Sequence, residues 1–176
     1  NEIIKYARDC YDDLTFCNLE TPVDGTIPYE TYPTFNVQPP YLQAAVDAGF
    51  EVFSLANNHT NDQNGHGITE TYKNFDTLRN NLEYKVYFSG IRENKNVKFS
   101  YELIEIKGWK ILFCGITECI NAYHDMELID YVPPTTKQRK AYLSFLSELR
   151  AENPCDLFLV AIHTAEPEYV RTVSDE

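Results

Sequence analysis

A chain of 176 residues that is 43% apolar can bury one substantial core but is short for two, so one folded unit over residues 1–176 is expected. Its 27 acidic against 15 basic residues give a formal charge of −12, which repels a phosphate backbone and argues against nucleic acid as a partner. No run of about 18 apolar residues is present to cross a bilayer, and the first residues lack the basic, apolar and small-residue zones of a signal peptide. The chain is thus expected to carry no targeting segment of its own. Because it starts at Asn1 and shows no terminating signal at Val173–Glu176, it reads as a piece trimmed at both ends.

In chain order, Ile3, Ile4, Ala7 and Tyr11 share one helical face over residues 1–12, and Leu14-Thr15-Phe16-Cys17 is a short strand-favouring run. Five prolines between Thr21 and Pro40 rule out regular structure and predict a long surface loop. Pro39-Pro40, followed by Tyr41, Leu42, Ala44, Ala45 and Ala48 and closed by Gly49, predicts a short helix with proline at its start and glycine at its end. Val52 to Ala56 is a second strand, and the polar stretch Asn57–Gly67 leads into a helix carrying Ile68, Tyr72, Phe75 and Leu78.

Tyr84 to Phe88 is a third strand candidate. Phe99–Ile106 and Trp109–Ile116 read as a hairpin turned at Gly108, which makes a mixed sheet. Ala141, Tyr142, Phe145, Leu146 and Leu149 fall in helical register within 136–150, and Asp156–Ile162 is a strand with an unbroken apolar stretch. Strands alternating with helices place the chain in the α/β class.

Five cysteines with no C-x-x-C pair give no zinc ribbon and no redox dithiol. Cys17 and Cys114 sit in apolar runs and read as small core residues. Spacing neither supports nor excludes a disulfide among Cys10, Cys119 and Cys155, and the composition does not assign a redox compartment. Gly65-His66-Gly67 lacks the spacing and the Lys-Ser/Thr of a phosphate loop, so its glycines read as a turn into the next helix.

Chemistry is expected beyond the carboxyl ends of parallel strands, where loops bring side chains from separate strands to one crevice. Asn18 and Glu20 follow the first strand, and Asn57, Asn58 and His59, with Asp62 close behind, follow the second. Thr117 and Glu118 follow the strand ending at Ile116, and His163 follows the last. Each has a plainer reading: Glu20 as a loop charge, Asn57-Asn58 as a turn, His163 as a satisfied structural histidine. Their recurrence at equivalent strand ends, with oxygen and nitrogen donors suited to divalent metals, favours a common site.

At these residues the sequence resembles the CapA family of bacterial poly-γ-glutamate capsule-synthesis proteins, within the calcineurin-like metallophosphoesterase superfamily. The matching stretches are Asp13–Pro22 with its Asn-Leu-Glu, Phe35-Asn36, Ala48–His59 with its Ser-Leu-Ala-Asn-Asn-His, Asp62 and Gly67, the Gly90 region, Gly108–Thr117 and Asp156–His163.

The resemblance implies a metallophosphoesterase-like layered α/β fold, with a mixed sheet flanked by helices, and a divalent metal cofactor (Mn, Zn, Fe or Mg). Asn58, Glu20 and His163 would be metal ligands and His59 the catalytic acid or phosphate contact. Asn18 competes with Glu20 for the acidic position, and Asn57, Asp62, Glu166 and Glu168 are accessory candidates. The usual opening Gly-Asp and closing Gly-His-x-x-His motifs are absent from these residues, and His163 is followed by Thr-Ala-Glu-Pro-Glu-Tyr rather than Trp-Gly.

The implied partners are an anionic extracellular polymer such as poly-γ-glutamate and a membrane-associated synthesis complex, with the full-length protein extracytoplasmic or membrane-associated. Two functions are compatible with this pattern. One is a metal-dependent hydrolase-like or transferase-like domain, and the other is a noncatalytic surface scaffold or polymer-binding module that keeps the fold.

Overall fold

The computed structural model describes residues 14–81 and 85–164. The helix expected over 1–12, the start of the third strand at Tyr84, and both Glu166 and Glu168 lie outside these residues. Within them the chain is α/β, with six strands in two three-stranded sheets. The first sheet is β1 (Phe16–Asn18), β2 (Val52–Ser54) and β3 (Tyr87–Ser89), all parallel, with Asn18, Ser54 and Ser89 in register. The second is mixed: β4 (Glu102–Ile106) runs antiparallel to β5 (Trp109–Thr117), and β5 runs parallel to β6 (Leu157–His163). The helices are α1 (Pro39–Asp47), α2 (Asn64–Arg79) and α3 (Thr136–Glu152). Among the described residues no helix is long and apolar enough to cross a membrane.

The period of two along each strand sorts side chains into layers. On β2, Val52 joins Ile104, Ile111 and Phe113 in a core between the sheets, while Phe53 packs with Leu42, Val46, Ile68, Phe75 and Phe88 under α1 and α2. On β5, Ile111 and Phe113 face that inter-sheet core, while Leu112 and Cys114 pack with Leu149 and Ile116 with Tyr142, both from α3. Cys114 is therefore the small core residue expected, and burial pushes its thiol up to about 12. The layers run helix, sheet, sheet, helix.

Close contact between the sheets leaves no room at Gly115, where an added Cβ would lie 2.9 Å from both Ser54 Oγ and Ser89 O. The polar contacts there are internally satisfied. Gly115 N donates to Ser89 Oγ, Ser89 Oγ bonds Ser100, and the Ser100 hydroxyl and amide donate to Asp130, which also pairs with Arg92 at 2.6 Å. Asp130 is fully buried, and desolvation raises its carboxyl against the opposing pull of Arg92 and Ser100.

Several boundaries differ from the sequence reading for local reasons. The hairpin turns at Lys107-Gly108, both at positive φ (48° and 82°), so that Ile106 faces Trp109 across a two-residue loop whose twist matches the strands. Helix α2 begins at Asn64, so Gly65 and Gly67 lie in its first turn rather than in a turn preceding it. The proline-rich stretch is irregular, as expected, but it is not wholly superficial. Val23, Asp24, Asn36 and Val37 are buried, and the Asn36 carboxamide accepts from Asp24 N and donates to Asp24 O and Pro28 O. A loop that buries backbone must find such partners, and Val23 takes its own from α2, its N–H donating to Thr71 Oγ1 and its carbonyl accepting from Asn74 Nδ2.

Candidate functional site

Asn18 ends β1, Ser54 ends β2, Thr117 ends β5 and His163 ends β6. The candidate residues thus come from both sheets rather than from one, and the sheets present these ends to each other. His163 Nε2 lies 2.8 Å from Asn58 Oδ1, although 105 residues separate them. Asn18 and His163 line one cavity of about 310 Å3 together with Phe16, Ser54, Ala161 and Ile162. His163 is fixed from behind by its carbonyl, which accepts from Glu118 N at 2.9 Å.

The segment Asn57–Asp62 is a tight polar turn built from its own side chains. Asn57 is fully buried, with Oδ1 accepting from His59 N and Nδ2 donating to Leu19 O, so its amide ties the turn to the end of β1 and is spent on structure. Asn58 is half-buried and turned outward to His163. The His59 ring packs at a tilt of 57° against Phe35, with centroids 4.5 Å apart, and its Nδ1 lies 2.7 Å from Asp62 Oδ2. Asp62 Oδ2 also accepts from Phe35 N, so one carboxylate oxygen holds both the ring and the loop packed against it. An imidazole held at Nδ1 by a carboxylate keeps Nε2 as its working nitrogen.

Glu20 is exposed and accepts from Asn18 Nδ2 at 3.2 Å, which makes it a neighbour of the cavity through Asn18. Burial first, then the charges of Glu20 and Glu118, push the Cys119 thiol up against the Thr117 hydroxyl's opposing effect. Glu118 itself is engaged by Arg139 at 3.0 Å. Among the described residues no group of three or more His, Cys, Asp and Glu is arranged to hold a metal ion. The donor pair in place combines an amide oxygen and an imidazole, Asn58 and His163, with Asn18 and Glu20 beside it. That set suits a hard or borderline divalent cation in chemistry.

One residue at the site has no counterpart in the sequence reading. Asn121, four residues past the end of β5, donates its backbone N–H to Asn58 O at 2.9 Å and places its carboxamide against both Asn58 and His59. The strand-end rule that selected Thr117 and Glu118 also covers Asn121, but no spacing in the sequence marks how far that loop folds back.

No curated protein sequence matches the chain. The sequence model of the family described as bacterial capsule synthesis protein PGA_cap matches residues 2–176, nearly the whole length. With the layered α/β fold and the strand-end crevice in place, the chain belongs to the bacterial capsule synthesis protein family PGA_cap, and its role lies in capsule synthesis.

Proposed function

We propose that the crevice at the strand ends is a divalent-cation site of a hydrolase-like or transferase-like domain acting on an extracytoplasmic capsule polymer such as poly-γ-glutamate. The observation that carries this reading is the 2.8 Å approach of Asn58 Oδ1 and His163 Nε2, with the His59–Asp62 pair one residue away. Asn58 and His163 would hold the cation, with Glu20, or Asn18 in its place, as the further oxygen donor from β1. A cation bound there supplies Lewis acidity and lowers the pKa of a bound water.

The protein's own groups supply the rest. In the structure His163 Nε2–H donates to Asn58 Oδ1, and cation binding requires that nitrogen to give up its proton. Asp62 holds His59 at Nδ1, so Nε2 is the atom from which a proton would pass to a leaving oxygen. The half-buried Phe35 packs against that ring at a tilt, with centroids 4.5 Å apart.

The test is titration of the full-length protein with Mn2+, Zn2+ and Mg2+ by calorimetry, followed by turnover of a chromogenic phosphodiester and of poly-γ-glutamate. Metal-dependent turnover lost in His59→Ala and retaining metal binding supports the assignment. Polymer binding with no turnover under any metal makes the domain a noncatalytic polymer-binding module.

A further inference from the structure

We infer that Asn121 is the positioning residue of this crevice: its carboxamide fixes which end of the Asn58 amide faces His163 and borders the His59 ring. A primary amide presents an oxygen at one end and two N–H donors at the other, and only the oxygen can face a cation or accept from His163. Asn58 Oδ1 faces His163 at 2.8 Å, and Asn58 Nδ2 donates to Asn121 Oδ1 at 3.4 Å, the long end of hydrogen-bonding range. With Asn121 Oδ1 so placed, Nδ2 has an acceptor only in the orientation that turns the oxygen toward His163. On its other side, Asn121 Nδ2 lies 3.4 Å from His59 Nδ1 and 3.5 Å from His59 Nε2. One side chain therefore touches both residues of the Asn-His pair.

The alternative is that Asn121 merely anchors its loop. That task is met without its side chain. Asn121 N donates to Asn58 O, Asn61 Nδ2 donates to the carbonyls of Ala122 and His124, and Gly65 N donates to Asp125 Oδ2. Four hydrogen bonds along Asn121–Asp125, none through the Asn121 side chain, hold the loop on the Asn58–Gly65 turn, so the exposed Asn121 carboxamide is presented by its loop but not needed for the fold. Partners that orient a ligating group typically change metal affinity by about 10- to 100-fold when removed.

The inference about orientation stands on the contacts above; its consequence for metal affinity rests on the cation reading. Asn121→Ala and Asn121→Asp separate the two. Asp keeps an acceptor for Asn58 Nδ2. Two readouts are taken on the full-length protein: the Asn58 side-chain amide signal in nitrogen-edited NMR without metal, assigned through Asn58→Asp, and the Mn2+ dissociation constant. Asn121→Ala should move the Asn58 amide signal toward that of a free amide and weaken Mn2+ binding at least about tenfold. Asn121→Asp should retain the wild-type amide signal and wild-type or tighter Mn2+ binding, with melting temperatures of both variants close to wild type.

An Asn58 amide signal unchanged in Asn121→Ala overturns the inference outright, and equal affinity in Asn121→Ala and in a wild type that binds Mn2+ overturns its consequence for the metal. A shifted amide signal in a wild-type background that binds no Mn2+ upholds the positioning role and removes the cation reading instead.

Discussion

Asn58 and Glu102 show how differently a single polar group can be employed. Asn58 is half-buried on a turn whose packing is carried by Asn57, Leu55 and Thr60, so Asn58→Ala removes the amide's hydrogen bonds to His163 and Asn121 but leaves that packing in place. Its cost to folding should be at most about 1 kcal/mol, while Mn2+ affinity should fall at least about tenfold. Thermal melts beside calorimetric titration check both, and a large loss of stability with unchanged affinity would make Asn58 structural. Glu102 lies at the start of β4, where burial raises its carboxyl against the opposing attraction of Arg79 at 2.9 Å. A carboxyl raised in the folded state is protonated more readily there than in the unfolded chain. Its contribution is therefore fully present below the ordinary carboxylate range and is lost as pH rises through the folded value. Glu102→Gln removes that dependence. Relative to the variant, the wild type should be more stable at pH 4 than at pH 7, and melts at the two pH values read the sign directly.

Between elements, contacts set by distant parts of the chain decide the geometry. Gly90, just past β3, has φ of +117°, and a Cβ there would lie 2.3 Å from Ala56 N. Gly90→Ala would force a non-glycine residue into the left-handed region and drive it into the backbone that opens the Asn57–Asp62 turn. A loss of about 3 kcal/mol is expected, read by denaturant titration, and a variant as stable as wild type would show that this turn can shift. The same distinction between local and distant determinants explains what the sequence revealed. The helix of 136–150, the Gly108 hairpin and the strand before His163 rest on periodicity and turn chemistry, and they are observed within a few residues. The start of α2 at Asn64 was hidden because Gly65 and Gly67 disfavour a helix locally. The burial of Asn36 was hidden because its partners lie 8 and 12 residues away in an irregular loop. At the site, the Asn58–His163 approach followed from strand ends alone, whereas the partition into two sheets and the return of Asn121 did not, since neither leaves a periodic trace.

On the scale of the whole molecule, the formal charge of −12 would set how the protein meets the proposed anionic polymer. A nucleic-acid binder loses affinity as salt rises because its basic patch releases counterions. Here the sign is reversed, because a polyanion such as poly-γ-glutamate approaches a like-charged surface, and mobile ions relieve the repulsion. Near the crevice, Glu118 is already paired with Arg139, and Glu20 is exposed beside Asn18. Raising ionic strength from about 0.01 M to 0.15 M shortens the screening length from about 30 Å to about 8 Å, so repulsion from charges distributed over the surface fades while contacts within the crevice persist. On the proposed reading, poly-γ-glutamate binding should therefore tighten over that range, and Mg2+ or Mn2+ should strengthen it more than NaCl of equal ionic strength, because a cation held at Asn58 and His163 would offset charge where the polymer would enter. Fluorescence polarisation of labelled poly-γ-glutamate, run beside a neutral polymer whose binding should ignore salt, measures both effects. Affinity that falls with added NaCl would mean that a local cationic surface holds the polymer, and equal responses to Mg2+ and NaCl would place the bound cation outside the polymer's path.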